Sequence, residues 1–341
     1  MIFAEQDRLP TAAGRRMIRV MTAHIRAKSS KAPRHAGLGA IGLSLFVWLA
    51  LLALTSFPAG AYQTEHVILV IIDGLRYSEG LGDSAHTHVP EMYELSRQGS
   101  IVEPFTNDWV TDTKHGIPTI WCGAHSNLRT LPGSGCSGGS YTCSELPTVF
   151  EYYRKHLDRE RTDCIYVLLD VDDPWRGSLD PDYGPDYWPF YQSKGTGDVE
   201  VWDEARDLLT RYHPSLFLLY LARVDHFGHT GSWAYYTRAI EIADSIVGMV
   251  WDFVESDPIY AGRTTMFVTN DHGRHSDDWT THGCDCEGCR LVMFLAVGPD
   301  VKQDFVSPTP RTICDITPTI GEVLGFETPK ATGNVMWEIL K

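Results

Sequence analysis

Three long apolar runs in the chain each lead into an acidic residue. His66-Val67-Ile68-Leu69-Val70-Ile71-Ile72 ends at Asp73-Gly74, Leu216-Phe217-Leu218-Leu219-Tyr220-Leu221 leads to Asp225-His226-Phe227-Gly228-His229, and 264–268 runs into Asn270-Asp271-His272-Gly273. Runs of this length without polar alternation predict strands buried on both faces, as in a parallel sheet. A fourth strand is predicted over 164–169, with shorter ones near 101–105 and 291–297. The longest helix is predicted over 233–255, free of Pro and carrying Ala239, Ile240, Ile242, Ala243, Ile246 and Val247 at helical spacing. Further helices are predicted over 91–97, 148–157, 199–212 and 315–324, the first and last stopping at Gly99 and Gly325.

The alternation implies an α/β protein with a mostly parallel sheet covered by helices. One segment, 170–197, departs from it. Trp175, Tyr183, Tyr187, Trp188, Phe190 and Tyr191 stand there among several aspartates, and the prolines and glycines between them predict a long irregular loop. Its aromatics either pin it to the body or reach the substrate.

Charge divides the chain at residue 61. Eight of the 29 Lys/Arg and two of the 44 Asp/Glu lie in 1–61, leaving 21 basic against 42 acidic residues, a net of −21, in 62–341. That body is a poor partner for a nucleic-acid polymer. The basic leader precedes an apolar stretch from Ile41 to Phe57 and then Pro58-Ala59-Gly60-Ala61, a small-x-small cleavage site. The expectation is therefore a signal over 1–61, cleaved after Ala61, and one catalytic domain over 62–341 placed outside the cytoplasm. An uncleaved anchor is the alternative, and membrane contact is expected only in that case.

Eight cysteines suit an oxidising compartment. Cys136 and Cys143 bracket a Gly/Ser-rich loop and are expected to pair. Cys284, Cys286 and Cys289 crowd one loop, where a disulfide is favoured over a metal site shared with His282. Cys122, Cys164 and Cys314 sit in apolar contexts and are expected to be buried.

The acids and imidazoles fall at strand ends, where open α/β sheets keep their ligand sites. In Asp225-His226-Phe227-Gly228-His229, a glycine that lets the backbone turn would allow Asp225 and His229 to converge on one divalent ion, with His229 opening the following helix. Asp73, Asp225, His229, Asp271, His272 and His282 give two sets of three ligands, each leaving a position open for substrate. Mixed carboxylate and imidazole donors suit Zn²⁺, with Mn²⁺ as the alternative. Such a pair of ions can stabilise attacking and leaving oxygens in a displacement at phosphorus. A nucleophile is offered by Thr113, ahead of a predicted helix whose N–H groups would hold a phosphate oxygen.

Together these residues carry a resemblance to the alkaline phosphatase superfamily, within it the nucleotide pyrophosphatase/phosphodiesterase branch. The similar pieces are V-I-I-D-G-L-R at 70–76, T-K-H-G-I-P-T-I-W-C-G at 113–123, D-H-F-G-H at 225–229, T-N-D-H-G at 269–273, T-H-G at 281–283 and D-I-T-P-T-I-G-E-V-L-G at 315–325, in that family's order. The resemblance implies a three-layer α/β sandwich with helices on both faces of the sheet. It implies that Asp73, Thr113, Asp271 and His272 hold one zinc, and that Asp225, His229 and His282 hold the other. It also implies that Thr113 is phosphorylated and then released by water.

Two features lean toward a diester or pyrophosphate substrate. The nucleophile is Thr rather than Ser, and Tyr220 stands where alkaline phosphatases proper have the glutamate of a third, magnesium site. A third cation helps with the extra charge of a monoester, so its loss fits a less charged substrate such as a nucleotide or lipid-like diester. Sulfatases are disfavoured, because no C-x-P-x-R or S-x-P-x-R occurs. Asp112 before the nucleophile and Lys114-His115-Gly116 after it depart from the phosphodiesterase pattern, which leaves Lys114 as the candidate phosphate contact, with Asn107, Asn127 and Arg129 weaker. His226, His275, Asp277 and Asp278 are read as solvated loop residues. The rival readings are a phosphomonoesterase, a phosphoryl or phosphoethanolamine transferase, and a metal-binding module without turnover.

Overall fold

Strand β1 (His66–Ile72) has all seven residues buried and lies inside an eight-stranded sheet. The structure is a computed structural model that describes residues 62–129, 142–169 and 175–341. The expected leader and its cleavage site lie outside the described residues, as does Cys136. Among the described residues no helix is long and apolar enough to cross a membrane.

In chain order the strands after β1 are β2 (Ser100–Val102), β3 (Phe105–Thr106), β4 (Leu128–Arg129), β5 (Thr142–Ser144), β6 (Cys164–Leu169) and β7 (Trp175–Ser178). They continue with β8 (Phe190–Lys194), β9 (Leu216–Leu221), β10 (Thr264–Thr269), β11 (Leu291–Val292), β12 (Phe294–Val297), β13 (Phe305–Ser307) and β14 (Arg311–Thr312). The main sheet runs β13-β2-β12-β10-β1-β9-β6-β8, and β12 alone is antiparallel to its neighbours. Two small sheets, β11-β3-β14 and β4-β5-β7, sit beside it.

The helices are α1 (Pro90–Gln98), α2 (Thr113–Cys122), α3 (Val149–His156), α4 (Asp198–Tyr212), α5 (Arg223–Gly228), α6 (Trp233–Ser256), α7 (Glu287–Arg290) and α8 (Ile316–Leu324). Strand alternation sorts them into layers. Val67, Leu69 and Ile71 of β1 join Leu216, Leu218 and Phe267 in one core cluster with Ile117, Phe150 and Ile320, so α2, α3 and α8 cover that face. Ile68, Val70 and Ile72 point the other way, toward the layer in which α1 and α4 pack on α6. Each such aliphatic side chain contributes about 1.5–3 kcal/mol when fully buried, which explains why the runs are so largely aliphatic. The expected three-layer α/β sandwich is present.

Three expectations are corrected. The strand near 101–105 is two strands in different sheets, because Pro104 between them has no N–H to extend a ladder. The run 291–297 is likewise divided at Met293, whose N–H and C=O bond the Asn270 side chain and the Thr269 hydroxyl instead of a neighbouring strand. The segment 170–197 is not wholly irregular: β7, a 3₁₀ turn (Pro185–Tyr187) and the edge strand β8 lie within it. Most of its prolines and glycines flank these pieces, with Gly177 inside β7 and Pro185 at the start of the 3₁₀ turn. Tyr183, Trp188 and Tyr191 are buried, with the Trp188 indole donating to Ser178 O at 2.9 Å, so these aromatics pin the segment to the body.

Candidate metal centre

Parallel pairing of β10, β1 and β9 places their C-terminal ends side by side, and the acids follow from that. Asp73 comes one residue after β1, Asp271 two after β10, and Asp225 lies in α5 just beyond β9. His229 caps the C-terminal end of α5, and the long helix starts later, at Trp233, so His229 does not open it as expected. Gly228 also has a different role from the turn foreseen for it. It is helical, and a Cβ there would collide with the Arg274 guanidinium, so this glycine makes room for a side chain crossing behind the site.

The six candidate ligands form two groups, Asp73 with Asp271 and His272, and Asp225 with His229 and His282. Within each group the ligand atoms lie within 4.8 Å of one another. The His272 and His282 rings stack with centroids 4.0 Å apart, so the two groups adjoin. Thr113 stands at the first position of α2, with its Oγ1 3.3 Å from Asp73 Oδ1 and 3.1 Å from His272 Nε2. Asp112 is the capping residue, accepting from His115 N at 3.0 Å, which leaves the Thr113 hydroxyl to face the site. Gly116 lets α2 come this close, because a Cβ there would lie 2.8 Å from Asp271 O. Lys114 is exposed at the helix start.

Whether the residues suit a cation can be judged from their hydrogen bonds. His272 Nδ1 lies 2.9 Å from Gly273 O, His229 Nδ1 3.0 Å from Thr280 O, and His282 Nδ1 3.2 Å from Thr111 O. Each ring therefore donates its Nδ1–H to a carbonyl and turns its Nε2 to the site, the arrangement of metal-bound histidines. The Nε2 atoms of His229 and His282 are only 3.0 Å apart. Asp271 Oδ2 is buried and has no hydrogen-bond partner. An orphaned buried carboxylate oxygen is unfavourable in protein alone and is relieved by a divalent ion.

The electrostatics agree. Asp271 is pushed well above the usual carboxylate range by burial and then by the Asp73 charge. His272 loses by burial but is carried up to about 10 by Asp271 and Asp73. His282 is pushed down to about 4 by burial and by the charge of His272. Burial opposes ionisation of Asp225, yet the His229 hydrogen bond and the charges of His272, Arg274 and His282 hold it well below its ordinary range.

Several supporting residues had no sequence signal. Arg274 is fully buried and bonds Asp225 Oδ1 at 2.5 Å, Thr280 O at 3.1 Å and Trp279 O. In the sequence it is one more residue of a polar loop. Tyr220 donates to Asp73 Oδ2 at 2.5 Å. Asn107, a weaker phosphate candidate, has its amide committed to the protein, donating to Asp271 O at 2.8 Å and Val110 O at 3.0 Å. Arg129 is exposed and paired with Glu145. His226 lines a cleft of roughly 450 Å³ that also borders Asp73, Asp225 and His229.

Comparison with known proteins points the same way. The Metalloenzyme superfamily profile matches residues 190–328. The 2,3-bisphosphoglycerate-independent phosphoglycerate mutase of Synechococcus sp. (strain JA-2-3B'a(2-13)) is 32% identical over 148 residues, 40% of this chain and 26% of that protein. The enzyme of the same name from Haloquadratum walsbyi is 31% identical over 159 residues, 45% of this chain and 30% of that protein. The match thus spans between a quarter and a third of these relatives' length. Among solved structures, murine ectonucleotide pyrophosphatase/phosphodiesterase 5 in complex with AMP superposes with a TM-score of 0.60 at 13% identity, over 81% of this chain and 100% of that one. The phosphonate monoester hydrolase of Silicibacter pomeroyi gives 0.53 at 14% identity, over 80% and 76%. These structural likenesses establish a shared fold. Over its second half, residues 190–328, the chain is thus similar to the Metalloenzyme superfamily, on a fold shared with these phosphoester-cleaving enzymes.

Proposed function

We propose that the protein is a phosphoric ester hydrolase that cleaves a phosphodiester or pyrophosphate bond through a threonyl-phosphate intermediate on Thr113. The observation that carries this reading is the position of the Thr113 hydroxyl, at a helix N-terminus and within 3.3 Å of two candidate ligands, Asp73 and His272.

Asp73, Asp271 and His272, with Thr113 itself, would hold one Zn²⁺, and Asp225, His229 and His282 the other. When bound, the ions would supply charge to stabilise the oxygens of the displacement and to lower the pKa of the nucleophile. The chain does the rest. Thr113 Oγ1 gives up its proton and attacks phosphorus, the leaving oxygen departs with the ester's other portion, and water then cleaves the threonyl phosphate and restores the hydroxyl. The first N–H groups of α2 have no partner within the helix and lie beside Thr113, where they can hold a non-bridging oxygen. Lys114, one residue on, is the candidate cation for the same phosphate.

Tyr220 supports a diester over a monoester, since its hydroxyl lies on Asp73 and brings no carboxylate for a third cation. The AMP complex of the similar ectonucleotide pyrophosphatase/phosphodiesterase is compatible with a nucleotide-like substrate. Phosphoryl transfer to an acceptor other than water is the second reading, favoured by the sequence likeness to phosphoglycerate mutases. The test compares kcat/KM of the full chain, zinc-loaded, on bis-p-nitrophenyl phosphate and p-nitrophenyl phosphate, with Thr113→Ala beside it. A preference for the diester, lost in the variant, is the expected result. Undiminished turnover in Thr113→Ala rules out the nucleophile, and a preference for the monoester rules out the substrate class.

A further inference from the structure

Behind His282 lies a second group of metal-binding side chains that the two-ion site does not use. Cys284 Sγ is 3.0 Å from Cys286 Sγ and 3.5 Å from Cys289 Sγ. The ligand atoms of His275, Cys284 and Cys286 all lie within 4.8 Å of one another. All three cysteines are free thiols, so the disulfide favoured from their spacing is not formed. The reason is geometric. Cys284 Sγ lies between the other two sulfurs, and at 3.0 and 3.5 Å neither approaches the roughly 2.05 Å of a disulfide bond. Nor is His275 a simple solvated residue, since it is half-buried beside them.

We propose that His275, Cys284, Cys286 and Cys289 form a structural zinc site, a Cys₃His set separate from the catalytic ions. Zn–S bonds of about 2.3 Å at tetrahedral angles put sulfurs about 3.8 Å apart, which the observed spacings reach with shifts under about 1 Å. Cys286-x-x-Cys289 has the two-residue ligand spacing of structural zinc knuckles. Cys286 N donates to Cys284 Sγ at 3.4 Å, the kind of bond that stabilises a ligating thiolate. His275 Nδ1 accepts from Asp277 N at 3.1 Å, so its lone pair is unprotonated and open to exchange for a metal. Four protein ligands close the site to substrate, in contrast to the three-ligand groups at the strand ends.

The backbone around these residues is folded tightly enough to need such a clasp. Gly273 N donates to Cys289 O at 2.8 Å, His275 N to Thr281 O at 2.8 Å, and Gly288 N to Ser276 Oγ at 3.0 Å. A Cβ on Gly273 or Gly288 would meet the opposite backbone, at Gly288 O or Arg274 O. The clasp closes on both sides of the catalytic ligands: Gly273 follows His272, and Cys284 is two residues after His282. Thr111 Oγ1 donates to Cys284 O at 2.8 Å while Thr111 O accepts from His282, which ties the same loop to the nucleophile segment. A bound ion would hold His282 at its distance from Asp225 and His229. The inference does not depend on which ester the catalytic site cleaves.

The test uses the full chain purified under reducing conditions. Zinc is counted by elemental analysis in the wild type and in Cys286→Ser/Cys289→Ser, and the expected result is one ion fewer per chain in the variant. Because the variant could fold poorly, the wild type is also loaded with Co²⁺. A near-ultraviolet thiolate-to-cobalt charge-transfer band is expected, together with protection of Cys284, Cys286 and Cys289 from alkylation that a chelator abolishes. A cobalt protein without that band, or a disulfide among these three cysteines in the zinc-loaded chain, overturns the proposal.

Discussion

Arg274 and Asp225 form an ion pair at 2.5 Å in which the guanidinium has no solvent-exposed surface. The same guanidinium bonds Trp279 O and Thr280 O, and Thr280 O also receives the His229 Nδ1–H. One planar side chain thus aligns a carboxylate ligand, the loop leading to His282, and the carbonyl that orients a second ligand. Lysine cannot reproduce this fork. Arg274→Lys is expected to lower metal affinity at the Asp225/His229/His282 group by roughly 10–100-fold while sparing the other group. Calorimetric titration with Zn²⁺ would show, beside the cysteine site, one tight and one weakened site at the strand ends. Gly228→Ala should produce a similar result, because its methyl would occupy the guanidinium's place. Two unchanged sites in both variants would remove Arg274 from the metal centre's support.

The Tyr220 hydroxyl takes Asp73 Oδ2 and leaves Oδ1 toward Thr113 and His272. Hydrogen bonds to a charged group contribute about 1.5–3 kcal/mol. Tyr220→Phe should therefore weaken metal binding at the Asp73/Asp271/His272 group by roughly 10–100-fold and lower kcat with it. The same titration, with kinetics on the preferred ester, checks this.

Asp271 and Asp73 are buried acids in one group, and burial followed by the Asp73 charge pushes Asp271 well above the usual carboxylate range. Asp271→Asn removes a buried acid whose ionisation burial and the Asp73 charge oppose. In chelator the variant is expected to melt at or above the wild-type Tm. With Zn²⁺ at about a hundred times the wild-type Kd, where a single site adds about 2.7 kcal/mol, only the wild type should gain stability at this group. Differential scanning fluorimetry with and without EDTA reads both signs, and a variant less stable in chelator would contradict the assignment.

Far from the metals, Glu151 supplies a pH dependence. Its carboxylate closes the capping box of α3, accepting from Thr148 N at 2.7 Å and from Ser178 Oγ at 2.7 Å, and burial pushes it from 4.5 up to about 7. The folded state therefore keeps this proton to higher pH than the unfolded chain. Stability falls as pH rises from about 4.5 to about 7 and is level with respect to this group on either side, a change of about 3 kcal/mol. Urea midpoints across that window, compared between wild type and Glu151→Gln in EDTA, should show the slope shrinking in the variant.

Much of the centre was legible in one dimension for a definite reason. Each ligand-bearing loop follows a strand too apolar to be anything but buried, and parallel strands put their C-terminal ends on one edge. Asp73, Asp225, His229, Asp271, His272 and His282 therefore group together from the sequence alone. The structure gathers Asp73 with Asp271 and His272, and Asp225 with His229 and His282.

What only the tertiary structure decided depends on packing between segments distant in sequence. Arg274 reaches Asp225 across 49 residues, and Tyr220 reaches Asp73 across 147, with nothing local to mark either contact. Gly228 reads as a flexible turn until the guanidinium above it is seen. The cysteines of 284–289 read as a disulfide because spacing alone cannot say whether two sulfurs meet or three converge. Local chemistry and hydrophobic period determined which residues could form a site. Their orientation came from long-range hydrogen bonds, made by polar side chains whose burial depends on the whole fold.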